Sequence, residues 1–335
     1  MKVILVTPNF HQQRGNTITV QRIADKLSEL KIRTEVVSIT EENNIKTLPH
    51  GDIIHGFNAY RFYKFKEELA TEINQYVVTI TGTDLNHDLF DQNKRSDVVQ
   101  SVIKAEFVHV FSDEAKQLLI REVPSVSKKV VIIPQDTDEF VVDTSSPFKK
   151  EEKTSLFVLP AGIRQVKNIP FAINGLKRLH EEFPFIRLLL VGPILEDKEW
   201  QKVKTLIDEN QQWVQYIGEV PHQKMGTIYH QADVLLNTSY TEGQSTAIME
   251  GMASELPVLV SNNNGNRSLV SNGLTGFVYE NIFDFYDYAK QLILNPNKRR
   301  ELGKAAKQYI TKHHTNSNEA MSLLEIYNHI YNESK

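Results

Sequence analysis

Two glutamates near a glycine are the side chains of this sequence whose spacing first suggests chemistry. Glu242 and Glu250 lie in the segment 233–253, where an apolar run is followed by a polar loop and then by a helical pattern. The helix is predicted to begin near Ser245, and its first backbone N–H groups would be unpaired and carry a positive partial charge. Together with Gly243 they would form an anion site, with Glu250 about 7.5 Å inside the helix at 1.5 Å per residue.

Two carboxylates beside a phosphate site would repel the phosphate unless they bind hydroxyl groups instead. A ribose and a sugar supply such hydroxyls, so the pattern is consistent with a sugar-nucleotide site. An ordinary pair of acidic residues near a helix N-terminus, with Ser245 as the capping residue, explains the same pattern. The spacing alone leaves both interpretations open.

Two cations follow an earlier strand-like run, in the segment 161–168. Arg164 and Lys167 stand three residues apart in this segment. An arginine offers a planar fork of donors and a lysine offers a point charge, and both suit a diphosphate leaving group. A solvated pair at the beginning of a helix is the alternative.

The segment 233–253 resembles the Glu-x7-Glu signature of family-four (group 1) retaining glycosyltransferases of the GT-B fold. The stretches 257–261, 264–266 and 272–278 are also similar to the family's pattern. The resemblance covers most of residues 155–280 and, more weakly, much of the first half. It implies a metal-independent enzyme that transfers a sugar from a nucleoside-diphosphate sugar, with UDP as the favoured carrier, to an unidentified hydroxyl acceptor.

The resemblance also implies roles for individual residues. Glu242 would contact the donor sugar and Glu250 the ribose hydroxyls. Arg164 and Lys167 would bind the diphosphate, although they stand one position later and one earlier than in the family's motif, counted from the donor-binding Gly162. With Glu242 they form the expected catalytic set. The helix N-terminus would bind the donor through Gly243, Gln244, Ser245 and Thr246.

The first half resembles the family at three places. The donor-binding candidate Gly15 lies in a loop similar to the short glycine loop that faces donor and acceptor. The segment 79–84 resembles the family's T-x-H-G-x-D pattern, and the acceptor-side residues that it implies are Thr81, Gly82 and Asp84. The end of the run 52–55 makes His55 a further acceptor-side candidate, with a hydrogen-bonded structural histidine as the alternative.

Two alternative functions stay open at this point. Thr81 replaces the histidine that contacts the donor sugar in the family. This departure keeps open a degenerate protein that binds a sugar nucleotide without turning it over. The alternative enzyme is a sugar-nucleotide epimerase on the same architecture.

Short strand-like runs alternate with helical patterns along both halves of the chain. The runs 2–7 and 186–191 and the helical stretch 59–73 are examples. This alternation predicts an α/β protein with two Rossmann-like, doubly wound parallel sheets that face a cleft between domains. A charged segment with prolines, 134–154, is the predicted linker. The predicted parts are an acceptor-side domain, 1–145, a sugar-nucleotide-binding domain, 146–312, and a helix, 313–335, that packs back on the first domain.

Composition narrows the classes of partner. The net charge of −4 is divided evenly, so neither half has the basic excess typical of nucleic-acid binding. The absence of cysteine excludes disulfides, thiolate zinc sites and a cysteine nucleophile. The first apolar run ends at Pro8, too early for a signal peptide, and no later run is as long as a membrane span. A cytoplasmic location is expected.

Two further sequence patterns imitate functional motifs but are explained more simply by a turn and by an amphipathic helix. Asp136 and Asp138 imitate the Asp-x-Asp metal motif of the other major glycosyltransferase architecture, but they begin the linker, where a turn is expected. No other cluster has metal-ligand spacing, so no metal or cofactor is predicted. Residues 60–66 interleave aromatic and basic side chains, which would allow weak peripheral membrane contact. A plain amphipathic helix explains them more simply.

Overall fold

The computed structural model describes residues 1–12, 15–41, 45–137, 140, 148–315 and 318–333, and the chain divides into two compact units. The first unit consists of Met1–Asp136 and Thr315–Lys335, and the second consists of Thr137–His314. The boundary predicted at residues 145 and 146 lies outside the described residues. The last helix belongs to the first unit.

The sheet of the first unit has six parallel strands in the order β2-β1-β3-β4-β5-β6. Consecutive residues of β1 face opposite sides, so Val3 and Leu5 join one apolar cluster while Ile4 and Val6 join another. Both faces are therefore covered. The strands are β1 (Lys2–Thr7), β2 (Arg33–Ser38), β3 (Ile53–Phe57), β4 (Val77–Thr79), β5 (Phe107–Val110) and β6 (Val130–Ile132).

Helices connect most consecutive strands, as is usual for parallel pairing, whereas β2 is followed directly by β3 in the element order. The helices of the first unit are α1 (Gly15–Glu29), α2 (Ala59–Glu67), α3 (Gly82–Asn86), α4 (Arg95–Lys104), α5 (Asp113–Glu122) and the last helix of the chain, α13 (Asn318–Glu333).

The second unit repeats this plan with six parallel strands in the order β12-β11-β10-β7-β8-β9. Its strands are β7 (Ser155–Pro160), β8 (Ile186–Val191), β9 (Val214–Tyr216), β10 (Val234–Asn237), β11 (Val258–Ser261) and β12 (Gly276–Tyr279). Its helices are α6 (Ile169–Glu182), α7 (Asp197–Glu209), α8 (Met225–Gln231), α9 (Thr246–Ala253), α10 (Asn264–Arg267), α11 (Ile282–Leu294) and α12 (Pro296–His313).

The structure confirms the predicted pair of doubly wound parallel sheets. The strand-like runs 2–7 and 186–191 are β1 and β8. The helix predicted over 59–73 ends earlier, at Glu67, because the chain turns there and the backbone N–H of Ala70 donates to the carbonyl of Lys46. The strand β12 was not predicted from the pattern, since its four residues begin with a glycine.

Helix α13 packs on the first unit through an apolar face. Ala320, Leu323, Tyr327 and Ile330 are buried in one cluster with residues of α1 and β1. A buried ion pair lies beside this face, where the guanidinium of Arg22 donates to Glu319 at 2.9 Å. Removing one partner of such a pair would leave an uncompensated buried charge, which is strongly destabilising.

A chain of buried polar side chains also joins α13 to the sheet. The hydroxyl of Tyr327 lies 2.6 Å from Nδ1 of His55, whose Nε2 lies 2.6 Å from Oγ1 of Thr79. The same oxygen lies 2.8 Å from Nδ1 of His109, and Nε2 of His109 lies 2.9 Å from the carbonyl oxygen of Ile133.

The carbonyl group of Ile133 at the end of this series of hydrogen bonds determines which atom is the donor in each of them. A carbonyl only accepts, so Nε2 of His109 carries the hydrogen and Nδ1 of a neutral ring accepts from Thr79. Thr79 then accepts from Nε2 of His55, and Nδ1 of His55 accepts from the hydroxyl of Tyr327. Burial lowers the pKa of His55 well below its usual value, with His109 adding to this, and burial lowers the pKa of His109 to about 4. Both rings are therefore neutral at pH 7.

Acid should destabilise the first unit, because the unfolded chain binds protons that the folded one excludes. Above about pH 6.5 both histidines are neutral in the folded and in the unfolded chain, so protonation of these rings does not reduce the unfolding free energy there. As the pH falls towards about 4, His109 alone should remove on the order of 3 kcal/mol of unfolding free energy. Urea denaturation of the chain between pH 7.5 and 4.5 measures this dependence.

The variant His109→Gln is the control for this prediction, since it keeps a polar side chain and removes the titrating ring. Its unfolding free energy should fall less steeply with acid than that of the wild type. Parallel pH profiles for the two chains would contradict the assigned cause.

Candidate functional site

Two loops of the second unit meet where the strand order of its sheet reverses. The strands β7 and β10 are parallel neighbours, so the loops that follow them emerge at the same edge. The backbone N–H of Tyr240 donates to the carbonyl of Val166 at 2.9 Å. The hydroxyl of Thr238 donates to the carbonyls of Lys167 and Asn168 at 2.9 and 3.1 Å. The two loops are thus held together through their backbones.

The predicted catalytic residues Lys167 and Glu242 form an ion pair across these loops. A 3-10 turn, Gln165–Lys167, presents the lysine, and Asn168 ends this turn in the left-handed conformation with φ 48°. Nζ of Lys167 lies 2.5 Å from Oε1 of Glu242, and the side chains are 16% and 10% exposed. A pair so well shielded from water is screened less than a surface pair.

The same carboxylate oxygen of Glu242 accepts two further hydrogen bonds. Asn237 donates to it from Nδ2 at 3.0 Å, and the hydroxyl of Ser239 donates at 2.7 Å. Burial opposes ionisation, but the Lys167 ammonium and these donors outweigh it and hold the pKa of Glu242 below its usual value. Glu242 is therefore a carboxylate at neutral pH.

Arg164 lies three residues before Lys167, at the start of the same turn. It is half-buried, and within the described ranges its Nε is buried with no hydrogen-bond partner. Burying a charged donor without a partner is unfavourable, so this group is suited to an anion supplied by a ligand. At the preceding Gly162, a Cβ atom would lie 2.6 Å from Cδ1 of Leu195, so the end of this leucine side chain would have to shift.

Helix α9 begins at Thr246, close to the predicted Ser245, with Gly243 and Gln244 in the loop before it. Ser245 occupies the N-cap position, but its side chain makes no capping hydrogen bond. Its hydroxyl instead lies 3.5 Å from Nδ2 of Asn237. The alternative interpretation, in which Ser245 caps the helix, therefore lacks its capping hydrogen bond.

A glycine of helix α10 makes close backbone contact with the loop before α9. A Cβ atom at Gly265 would lie 1.7 Å from the carbonyl oxygen of Gly243 and 2.6 Å from that of Glu242. The backbones meet only because residue 265 has no side chain. Next to it, the fully buried Asn266 donates to Asn237 at 3.2 Å and to the carbonyl of Ser261 at 2.9 Å.

The predicted ribose ligand Glu250 is buried inside the second unit and hydrogen-bonded at both carboxylate oxygens. Nε2 of His222 lies 2.7 Å from Oε1, and the hydroxyl of Tyr229 donates to Oε2 at 2.7 Å. Burial, with the neighbouring carboxyl group, raises the pKa of Tyr229 well above its usual value, so the phenol stays protonated.

In the first unit, Thr81, Gly82 and Asp84 lie in one turn at the start of α3, with Thr81 and Asp84 buried and Gly82 half-buried. Oδ1 of Asp84 accepts from the backbone N–H of Thr81 at 2.7 Å and from its hydroxyl at 2.8 Å. Oδ2 accepts from the backbone N–H of Ala59 at 2.6 Å. Burial raises the pKa of Asp84 to about 7 against these donors. The buried carboxyl group of Asp84 thus fixes the conformation of the Thr81–Gly82 turn through hydrogen bonds.

The other two first-unit candidates lie in different surroundings. Gly15 is exposed and begins α1, where its carbonyl accepts from the hydroxyl of Thr19 at 3.1 Å. His55 is fully buried and hydrogen-bonded at both ring nitrogens, as the polar chain of the first unit requires. Its surroundings fit the structural alternative that the sequence left open.

The remaining patterns have ordinary surroundings. Phe62, Tyr63 and Lys66 of the aromatic and basic segment are buried, as in a plain amphipathic helix. No helix in the described ranges is both long and apolar enough to cross a membrane. Asp136 accepts from the backbone N–H of Glu319 at 3.1 Å, whereas Asp138 lies outside the described residues. Among the residues that the structure describes, no three histidine or acidic side chains are grouped as metal ligands.

Several polar residues of the site had no signal in the sequence. His222, Tyr229 and Asn266 lie more than 20 residues from their partners, whereas Asn237 and Ser239 lie within five residues of Glu242. All five residue types are common in loops, so only the fold reveals the contacts. The residues that sequence reasoning missed are His222, Tyr229, Asn237, Ser239 and Asn266.

Comparison with known proteins gives consistent matches. The model of the family described as glycosyl transferases group 1 matches residues 142–309, half of the chain. The glycosyltransferase 1 domain-containing protein 1 of Xenopus tropicalis is 26% identical over 314 residues, which are 90% of each protein.

Two solved structures share the fold of the whole chain. Sucrose-phosphate synthase from Thermosynechococcus elongatus has a TM-score of 0.81 at 15% identity, covering 99% of this chain and 100% of that one. Anabaena HepE in complex with UDP-glucose has a TM-score of 0.79 at 14% identity, covering 98% and 99%. The fold of this chain is therefore GT-B.

The variant Gly265→Ala should disrupt the loop before α9, because its methyl group would collide with the carbonyl of Gly243 at 1.7 Å. Since backbone must move on at least one side, we expect a loss of about 1–3 kcal/mol in the free energy of unfolding. Urea denaturation measures this loss. The control is Asn264→Ala at the exposed preceding position, and an equal effect of both variants would contradict the close-contact argument.

Proposed function

This chain belongs to the glycosyl transferases group 1 family, and we propose that it is a retaining hexosyltransferase that uses a nucleoside-diphosphate sugar without a metal. The observation that carries the proposal is the meeting of Arg164, Lys167 and the N-terminus of α9 at the edge of the second sheet. These are cationic or partly positive groups on two adjacent loops, and together they suit the negative charge of a diphosphate.

The donor base is proposed from the comparisons, with UDP as the favoured carrier. HepE, which shares the fold, is described in complex with UDP-glucose. In this chain the base would lie in the second unit, on the same side of the sheet as the proposed ribose ligand Glu250. The acceptor would be a hydroxyl compound.

Charge stabilisation is the proposed source of catalysis. When the bond between the anomeric carbon and the phosphate oxygen breaks, negative charge grows on the leaving diphosphate. Arg164, Lys167 and the first N–H groups of α9 would bind this charge. Because Lys167 is already held by Glu242 and by the turn that ends at Asn168, it would need little reorganisation.

Glu242 has a double role in this proposal. Its Oε1 holds Lys167 at 2.5 Å, and its carboxylate would also contact a hydroxyl of the donor sugar. The ionised state of Glu242 suits both tasks, since a carboxylate accepts from an ammonium and from a hydroxyl alike. Glu250 would bind the ribose hydroxyls.

Retention is proposed to follow from a front-face reaction. The acceptor oxygen would form its bond to the anomeric carbon on the face from which the diphosphate departs. Its proton would pass to an oxygen of the leaving phosphate, so that atoms and charge balance without a covalent enzyme intermediate. The sugar would pass through an oxocarbenium-like state, as in glycoside hydrolysis.

The acceptor-side residues of the proposal lie in the first unit. They include the turn formed by Thr81 and Gly82, while Gly15, at the start of α1 in the same unit, is proposed as a donor-binding residue. Asp84 would act on this turn indirectly, since its carboxyl group is buried and holds the backbone N–H of Thr81. His55 would support the same unit from its interior.

Replacing Arg164 should remove transfer while leaving the fold intact. The test is acceptor-dependent release of UDP from UDP-glucose and UDP-N-acetylglucosamine, with a panel of hydroxyl acceptors. We expect Arg164→Ala to lower the rate about 100-fold or more, as losing one charge-stabilising donor does elsewhere. The control is Arg178→Ala, whose guanidinium lies over the ring of Tyr286 at 4.7 Å on the surface of the same unit.

Three outcomes would contradict the proposal. Equal rates for Arg164→Ala and the wild type would remove Arg164 from the site. Interconversion of the sugar nucleotide without any acceptor would indicate an epimerase instead. Nucleotide binding with no turnover of any donor in the panel would indicate a binding protein.

A further inference from the structure

The carboxyl group of Glu250 is covered in this structure by two other side chains. The Glu250 side chain is only 5% exposed. Tyr229 donates to one of its oxygens from within α8, and His222 contacts the other from the 3-10 turn His222–Lys224 that precedes α8. A ribose could not reach this carboxylate unless one of the two moved.

His222 is the covering side chain that is able to move. The ring of Tyr229 is 1% exposed and packs in an apolar cluster with residues of β7, β10 and α9. Displacing this ring would expose apolar surface to water, which costs about 25 cal/mol of free energy for each Å² exposed. The side chain of His222, in contrast, is 28% exposed and lies on a short turn. The ring of Phe140 touches both, with centroid distances of 5.1 Å to His222 and 5.7 Å to Tyr229.

The hydrogen bond of His222 has the same polarity as the one a ribose would make. The oxygen of Glu250 accepts, so Nε2 of His222 donates to it across 2.7 Å. A ribose hydroxyl would likewise donate to this carboxylate. One donor can therefore replace the other without leaving the buried oxygen unsatisfied, which a purely apolar ligand group could not do.

We propose that His222 occupies the position of the ribose hydroxyl groups at Oε1 of Glu250 and is displaced from this oxygen when the donor binds. This inference rests on the proposed function and deepens it, because it assigns a specificity role to a residue outside the expected signature. A ligand with ribose hydroxyls restores the hydrogen bond that it breaks. A ligand without them leaves His222 on Glu250, so His222 lowers the affinity for UDP but not for a ligand that lacks the hydroxyls, and it reduces the preference of the site for the ribose hydroxyls.

The test is a cycle of two chains and two ligands, measured by isothermal titration calorimetry. The chains are the wild type and His222→Ala, and the ligands are UDP and 2′,3′-dideoxy-UDP. We expect His222→Ala to bind UDP about tenfold more tightly, the effect of removing one competing hydrogen bond to a carboxylate. Its affinity for dideoxy-UDP should equal that of the wild type. The control Gln223→Ala, at the exposed next position, should leave both affinities unchanged.

Other outcomes separate failure of this inference from failure of the proposed function. If UDP binds both chains equally, or binds His222→Ala more weakly, His222 is not a competitor and the inference is overturned while the nucleotide site stands. If the variant changes the affinities for both ligands by the same factor, its effect does not involve the ribose hydroxyls and the inference again fails. If neither chain binds UDP at millimolar concentration, the UDP site of the proposed function falls and this inference falls with it.

Discussion

The parallel pairing of β7 with β10 is the constraint on which the candidate donor site depends. The chain runs from β7 to β8 and β9 on one side of the sheet and from β10 to β11 and β12 on the other. The loops after β7 and β10 therefore leave the sheet side by side, with no strand between them. Lys167 of one loop and Glu242 of the other meet because of this strand order, although they are 75 residues apart in the sequence.

Hydrogen bonds between the two loops turn this proximity into a defined geometry. Thr238 and Tyr240 hold the backbone of the turn that carries Lys167. Three donors converge on one oxygen of Glu242, which keeps a buried carboxylate ionised. Taking two charges out of water is unfavourable, and the ion pair is stable only because each partner also has polar neighbours. A site arranged in this way needs little rearrangement when charge develops on a ligand.

The first unit uses buried polar groups for a different purpose, which is to attach the end of the chain. Tyr327 begins a chain of hydrogen bonds that crosses the sheet through His55 and His109. The pair of Arg22 and Glu319 lies on the same helix contact. Such groups are satisfied in only one arrangement, so they select the position of α13, whereas its apolar face supplies most of the burial.

The sequence by itself determined the architecture and the main candidates of the site. Alternating apolar runs and helical patterns predicted two parallel sheets. The spacing of Glu242 and Glu250 left two interpretations open, and the resemblance of their segment to group 1 glycosyltransferases pointed to a sugar nucleotide. These signals are local, since the pleat and the helical turn fix side-chain direction within a few residues. The tertiary structure alone decided the partners: Lys167 on Glu242, His222 on Glu250 and Gly265 under Gly243. Such contacts join residues that only the folded sheet brings together, and common polar residue types leave no periodic pattern that would reveal them.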